Sequence, residues 1–264
     1  MSLKILIRGL YSKFVIVLNL LLNQIDQVIK PTTMPYGILI ALLLLSGAFV
    51  STDASLSRLP QPTQSTANAG WRPLFNGKDL TGWKHVGKGS MLVEKGLIHG
   101  KGGMGLLYYT KEKFGNCTLR VVYKMQKENS NAGVFIRIPV EPREEWMPVH
   151  YGYEVQIDNH PETSDEDEYH VTGTLYSLTK PLAKPGKPGP QWNTMDITLD
   201  GPRTIVYVNG VKVTDYQEGG PVPPRKFDFE PYRGIRPNSG YIGLQNHGEH
   251  DIVYFKEVSV KPLH

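Results

Sequence analysis

Val206-Tyr207-Val208-Asn209-Gly210-Val211-Lys212-Val213 is the stretch that decides the fold class. Two short valine-rich runs flank Asn-Gly, the pair that supplies the two positive φ angles a two-residue hairpin turn requires. Outward from it the period of two recurs. Leu119, Val121, Tyr123 and Met125 alternate with Arg120, Val122 and Lys124, and Ile197 and Leu199 alternate with Asp196 and Thr198. This is the pattern of half-buried strands. Lys95-Gly96 between Met91–Val93 and Leu97-Ile98 is a weaker hairpin of the same kind. Further strands are expected at Gly105–Tyr109, Gly133–Ile138, Tyr151–Ile157, Thr172–Tyr176, Tyr241–Gln245 and Ile252–Val260, with no amphipathic helix longer than two turns. About a dozen strands predict an all-β fold, two antiparallel sheets packed as a jelly-roll sandwich.

Composition agrees. Of 264 residues, 27 are Gly, 20 Pro and 14 Tyr, a turn-rich and aromatic mixture suited to β structure. The net charge is +4, and Lys4, Arg8, Lys13 and Lys30 supply part of it from the N-terminal segment. No long basic run follows, so nucleic acid is excluded as the expected partner. The lone Cys117 excludes an intramolecular disulfide and a multi-cysteine zinc site, and its alternating apolar context reads as a buried thiol.

Residues 1–54 read as a leader. Pro31 to Thr52 carries no charge, Ile38–Val50 is almost wholly apolar, and small and polar residues follow. That is a secretory signal or, since the run is just long enough to span a bilayer, a membrane anchor. Either implies a secreted, periplasmic or cell-surface protein that touches membrane only through this segment. Residues 55–70, rich in Pro, Gln, Thr, Ser and Asn, read as a flexible linker, and 71–264 as the β-sandwich domain.

Three stretches interrupt the strands: the acidic Pro161–Glu168, Pro181–Pro190, and the long proline-rich Gln217–Asn238. Loops of this length are commonly functional and can wall a cleft.

The candidate chemistry lies on one strand. In Tyr153-Glu154-Val155-Gln156-Ile157-Asp158, Val155 and Ile157 face the core. Glu154, Gln156 and Asp158 then project together from the other face at intervals of about 7 Å. A solvated strand face is the simple reading; two carboxylates placed as in sandwich glycosidases is the sharper one. Other strands add Asn131 in line with Arg137, Gln245 with His247, His170 leading to Tyr176, and Trp192-Asn193. Amides, guanidinium, imidazole and aromatic rings on one sheet face are the material of a sugar site, where hydroxyls take polar bonds and rings stack.

Several motifs in order resemble the 3-keto-disaccharide hydrolase domain family. They are Leu74-Phe75-Asn76-Gly77-Lys78-Asp79-Leu80-Thr81-Gly82-Trp83, Asn131-Ala132-Gly133-Val134-Phe135-Ile136-Arg137, Gly152–Ile157, Thr172-Gly173-Thr174-Leu175-Tyr176, Gln191-Trp192-Asn193, Val208-Asn209-Gly210 and Gly240–Gly248. The resemblance covers nearly everything from Trp71 to Leu263 and departs at Ala132, where the family carries Ser. It implies a concanavalin A-like sandwich acting on 3-keto-glycosides.

A C3 carbonyl acidifies the C2 proton, so a base can remove it and the C1 substituent can leave by elimination, with water adding afterwards. The candidates are Glu154 or His170 as base, Arg137 with Gln245 at the C3 oxygen, and Tyr176 or His247 as acid. Asn131, Gln156, Asp158, Trp192 and Asn193 are substrate-binding candidates. Direct hydrolysis by Glu154 and Asp158 is the rival mechanism, and a non-catalytic carbohydrate-binding module the rival function. No cofactor is required by this chemistry. Asp158, His160, Glu162 and Asp165–Glu168 offer oxygen ligands for Ca²⁺, and His160, His170 and Glu154 a catalytic divalent cation, against the simpler reading of a solvated acidic loop.

Overall fold

The Asn209-Gly210 turn closes as its sequence dictates: the two residues take φ of 51° and 80° and join antiparallel strands 203–208 and 211–217. Lys95-Gly96, at 51° and 76°, makes the second such turn. The computed structural model describes residues 70–161 and 167–263. Residues 1–69, expected from sequence to be a leader and linker, and 162–166 of the acidic loop lie outside the described residues.

Thirteen strands are described: β1 (Arg72–Pro73), β2 (Trp83–Gly87), β3 (Ser90–Glu94), β4 (Leu97–Lys101), β5 (Gly105–Tyr109), β6 (Cys117–Met125) and β7 (Ala132–Ile138). After a short helix α1 (Met147–Tyr151) come β8 (Tyr153–Ile157), β9 (Asn193–Asp200), β10 (Arg203–Val208), β11 (Val211–Gln217), β12 (Tyr241–Asn246) and β13 (Val253–Pro262). One sheet runs β11-β10-β9-β6-β13-β4-β3, with β1 on β13; the other runs β2-β5-β12-β7-β8. All pairings are antiparallel. The chain is a two-sheet jelly-roll sandwich of concanavalin A-like type.

Alternation explains the core. Leu119, Val121 and Tyr123 of β6 and Met195, Ile197 and Leu199 of β9 share one buried cluster with Val134 and Ile136 of β7 and Val155 and Ile157 of β8. Cys117 is buried beside them, and burial pushes its thiol up to about 11, so it is an inert thiol at neutral pH. The Leu74–Trp83 motif is architectural. Asn76 Oδ1 accepts the Lys78 and Asp79 amides, and the Trp83 indole donates to the Leu74 carbonyl at 2.9 Å.

The five-stranded sheet is covered on its outer face as well. Leu106, Tyr108, Phe135, Ile138 and Val149 form a second apolar layer there. Val149 comes from α1, whose Pro148 suits a first helical turn because its φ is already set. This second layer floors the functional site. One expected strand is absent: Thr172–Tyr176 forms turns, held along β8 by Gln156 N–H to Thr174 O and Tyr176 N–H to Glu154 O.

Arg137 departs from expectation for a local reason. Phe135 pairs with Gly243 and Ile138 with Tyr241, so Ile136 and Arg137 together oppose Ile242. This is a β-bulge, with Arg137 at φ 55°, and it turns the side chain away from the face Phe135 occupies. The guanidinium is fully buried and donates to Thr204 Oγ1 and to the carbonyls of Gly201, Arg203 and Pro237. It fastens β7 to the β9–β10 turn, the start of β10 and the loop between β11 and β12. Arg137→Met is expected to lower the unfolding free energy by about 3 kcal/mol in urea denaturation, because these acceptors lose their donor; a loss below about 1 kcal/mol would contradict this role.

Candidate functional site

Tyr153, Val155 and Ile157 of β8 enter the inter-sheet core, which sends Glu154 and Gln156 to the outer face. Gly133 of β7 lies opposite Gln156, and Phe135 opposite Glu154. A Cβ at Gly133 would fall 2.6 Å from Glu154 Cγ and 2.7 Å from Cδ, so only glycine leaves room for the carboxylate to lie across β7. On β12, Ile242 and Leu244 face the core and Gln245 therefore lies on the face of Glu154, where its side chain favours the ionised carboxylate.

His247 follows the end of β12. Its Nδ1 lies 2.8 Å from Asp251 Oδ2. The other Asp251 oxygen accepts the Asn131 backbone N–H at 3.2 Å, and Asn131 Oδ1 accepts from Gln156 Nε2 at 3.1 Å. A hydrogen-bonded chain thus runs from Gln156 through Asn131 and Asp251 to His247. Together with Met104, Trp146, Val149, Glu154, Tyr176, Phe229 and Gln245, three of these residues (Asn131, Gln156 and His247) line a cavity of about 270 Å³. Gln156 Oε1 and Gln245 Oε1 are buried without a hydrogen-bond partner.

Burial drives the electrostatics. It raises the Glu154 carboxyl to about 7, against the charge of His247 and the Gln245 hydrogen bond, which favour ionisation. Burial likewise raises Asp158 to about 6, opposed first by its hydrogen bond from the His160 amide. Desolvation disfavours the His247 imidazolium, but the Asp251 hydrogen bond and the charges of Asp251, Glu154 and Asp158 outweigh it, so the pKa of His247 is raised. The site thus holds a carboxyl raised to about 7 beside a histidine whose cationic form its acidic neighbours favour.

Of the residues expected from sequence, Asn131, Glu154, Gln156, Tyr176, Gln245 and His247 line this cavity. His170 stands one layer behind, its ring stacked on Tyr176 at 4.7 Å between centroids. Asp158 does not line the cavity. Arg137, Trp192 and Asn193 are corrections. The bulge removes Arg137 from this face, and the other two belong to the opposite sheet and the loop before it. Trp192 sits under the ammonium groups of Lys124 and Lys256, and Asn193 bonds to Lys187 and Asn209 to fix the preceding loop. Alternation assigns a face but not a sheet. Asp251, Met104, Trp146, Val149 and Phe229 had no comparable signal, since most reach the site from turns, loops and a short helix.

Among the described residues no group of three or more His, Cys, Asp or Glu is placed to hold a metal ion. His160 is paired with Glu128 at 2.9 Å, and Glu162, Asp165 and Glu166 lie outside the described residues. A larger, more open hollow of about 590 Å³ beside Tyr216 offers no equivalent chemistry: its Asp215 is held by Arg203 and Lys212, and its Lys180 by Glu168.

The cavity is polar and aromatic-walled, and similarity to known proteins places the chain among carbohydrate-active ones. Residues 70–261 match the family described as the 3-keto-α-glucoside-1,2-lyase-like domain, and the chain belongs to that family. A 3-keto-disaccharide hydrolase of Bacteroides thetaiotaomicron is 26% identical over 232 residues, which cover 74% of this chain and 79% of that protein. Among solved structures, a candidate glycosyl hydrolase from Parabacteroides distasonis is 27% identical with a TM-score of 0.62, over 75% of this chain and 96% of the other. A Bacillus subtilis protein of galectin-like fold, 12% identical with a TM-score of 0.51, covers 72% of this chain and 94% of its own and shares the fold alone.

Proposed function

We propose that the chain cleaves 3-keto-glycosides by elimination across C1 and C2 followed by hydration. The observation that carries this reading is the pairing, on the wall of one cavity, of Glu154, raised to about 7, with His247, whose ring is hydrogen-bonded to Asp251 and whose pKa is raised. Glu154 takes the C2 proton, and the electron pair of the C2–H bond moves into an enolate with C3. The C1–O bond then breaks as the C3 carbonyl re-forms, leaving a C1=C2 double bond, and His247 protonates the departing oxygen. Water adds at C1, a proton returns to C2, and the net change is hydrolysis. A base near neutrality suits this step, because it is ionised at working pH yet basic enough to accept the proton. The unpartnered Gln156 and Gln245 oxygens each cost about 1–3 kcal/mol and are relieved by sugar hydroxyl donors.

The two-carboxylate mechanism has less support, since Glu154 is the one carboxylate among the described residues lining the cavity. The family's description as lyase-like and the relative's name as a hydrolase correspond to elimination without and with the hydration step. Incubation with a 3-keto-disaccharide is expected to release free 3-keto-sugar; binding without release would favour a carbohydrate-binding module instead. We also propose that residues 1–54 direct export, with 55–70 as linker, which the N-terminal mass of the native protein tests: a start near Ala54 supports cleavage, and a cytosolic chain starting at Met1 contradicts export.

A further inference from the structure

The cavity is small and its mouth is aromatic. About 270 Å³ is just below the roughly 300–1,000 Å³ of pockets that enclose drug-sized ligands, and it is room for a single sugar ring. Whatever C1 carries must therefore lie at the mouth. Two of the lining residues, Trp146 and Phe229, remain 40% and 46% exposed there. Each belongs to a stack: Phe229 lies nearly parallel to Phe227 at 5.0 Å, and Trp146 rests on His150, which rests on Tyr232 at 4.9 Å.

The two stacks are built in place. His150 Nε2 lies 3.1 Å from the Asp228 carbonyl, and the Arg236 guanidinium donates to the carbonyls of both His150 and Tyr232. These bonds tie α1 to the loop that carries Phe227 and Phe229. Each ring is packed in its stack yet keeps this exposure at the rim of a polar cavity, which suits a flat apolar ligand.

We propose that Trp146 and Phe229 form a leaving-group subsite that selects glucosides of planar aromatic alcohols over disaccharides. The proposal rests on reading the cavity as a glycoside site. A second sugar ring would bring several hydroxyls to a rim where Phe227 and Phe229 offer no polar atom, His150 Nε2 is already engaged and Trp146 offers a single indole N–H. An aryl group needs no such partners and gains from stacking on the rings that line the cavity.

The test is calorimetric titration of the full chain with methyl α-glucoside, 4-nitrophenyl α-glucoside and trehalose, none of which carries an activated C2 proton. The aryl glucoside is expected to bind about tenfold or more tightly than either of the others, as stacking on two rings implies. Trp146→Leu and Phe229→Leu are each expected to remove most of that ratio. Equal affinities, tighter binding of trehalose, no binding of any of the three, or a ratio that survives both substitutions would overturn the subsite. Because turnover plays no part, aryl selectivity without cleavage of 3-keto-glycosides would sink the proposed function and leave the subsite standing.

Discussion

Glu154→Gln is expected to reduce turnover of a 3-keto-glycoside by about 1,000-fold, the middle of the range for loss of a positioned general base. Glutamine keeps the shape and cannot accept the C2 proton. The same substitution is expected to stabilise the fold, which separates a catalytic role from a structural one. In the folded protein the carboxyl titrates near 7, above its ordinary value of 4.5. Its favourable contribution is therefore complete below about pH 4.5 and is lost as pH rises through about 7, above which the cost of burying the charge is felt in full. At about one pKa unit per 1.4 kcal/mol, Glu154→Gln is expected to gain up to about 3 kcal/mol above pH 7 and little at pH 4. Urea unfolding at the two pH values measures this. A variant that is less stable at both, or that retains activity within tenfold, would remove Glu154 from the chemistry.

The second large effect concerns the pair His247 and Asp251. With Glu154 ionised and His247 protonated as the working state, kcat/KM should rise as pH passes through about 7 and fall when His247 loses its proton. The raised pKa of His247 moves that fall to higher pH than for an unperturbed imidazole. Asp251→Asn removes both the hydrogen bond and the charge that hold the imidazolium, so the alkaline limb is expected to move to lower pH. Glu154 then loses part of its cationic neighbour and the acid limb moves up, so the profile narrows from both sides. His247→Gln, which cannot protonate the leaving oxygen, is expected to cost about 100-fold with an ordinary leaving group and much less with nitrophenolate, which needs no proton. A pH profile unchanged in Asp251→Asn would contradict the assignment.

The sequence carries these features unevenly. The Asn209-Gly210 turn is visible because only a few residues tolerate its backbone, and β6, β9 and β12 are visible because apolar residues recur at every second position along them. Glu154, Gln156, Gln245 and His247 follow from the same alternation, as residues left over once the core face is assigned. Arg137 shows where the reasoning fails: a single extra residue in β7 inverts the face, and nothing in Phe135-Ile136-Arg137-Ile138 announces the bulge except the unusual φ it produces. Trp192 and Asn193 fail differently, because period two says nothing about which sheet a strand joins. Asp251, Trp146 and Phe229 come from segments without periodicity, placed by long-range bonds such as Asn131 N–H to Asp251 and Arg236 to His150.

The central claim is that cleavage begins at C2. Reaction of the purified chain with a 3-keto-glycoside in D₂O, followed by NMR of the released 3-keto-sugar within the first turnovers, tests it most directly. Proton removal, elimination and rehydration predict one deuterium at C2 of every product molecule, well above exchange in a protein-free control. Release of product with its C2 hydrogen intact would show that the C1–O bond breaks by direct displacement, and the account of this site would be wrong.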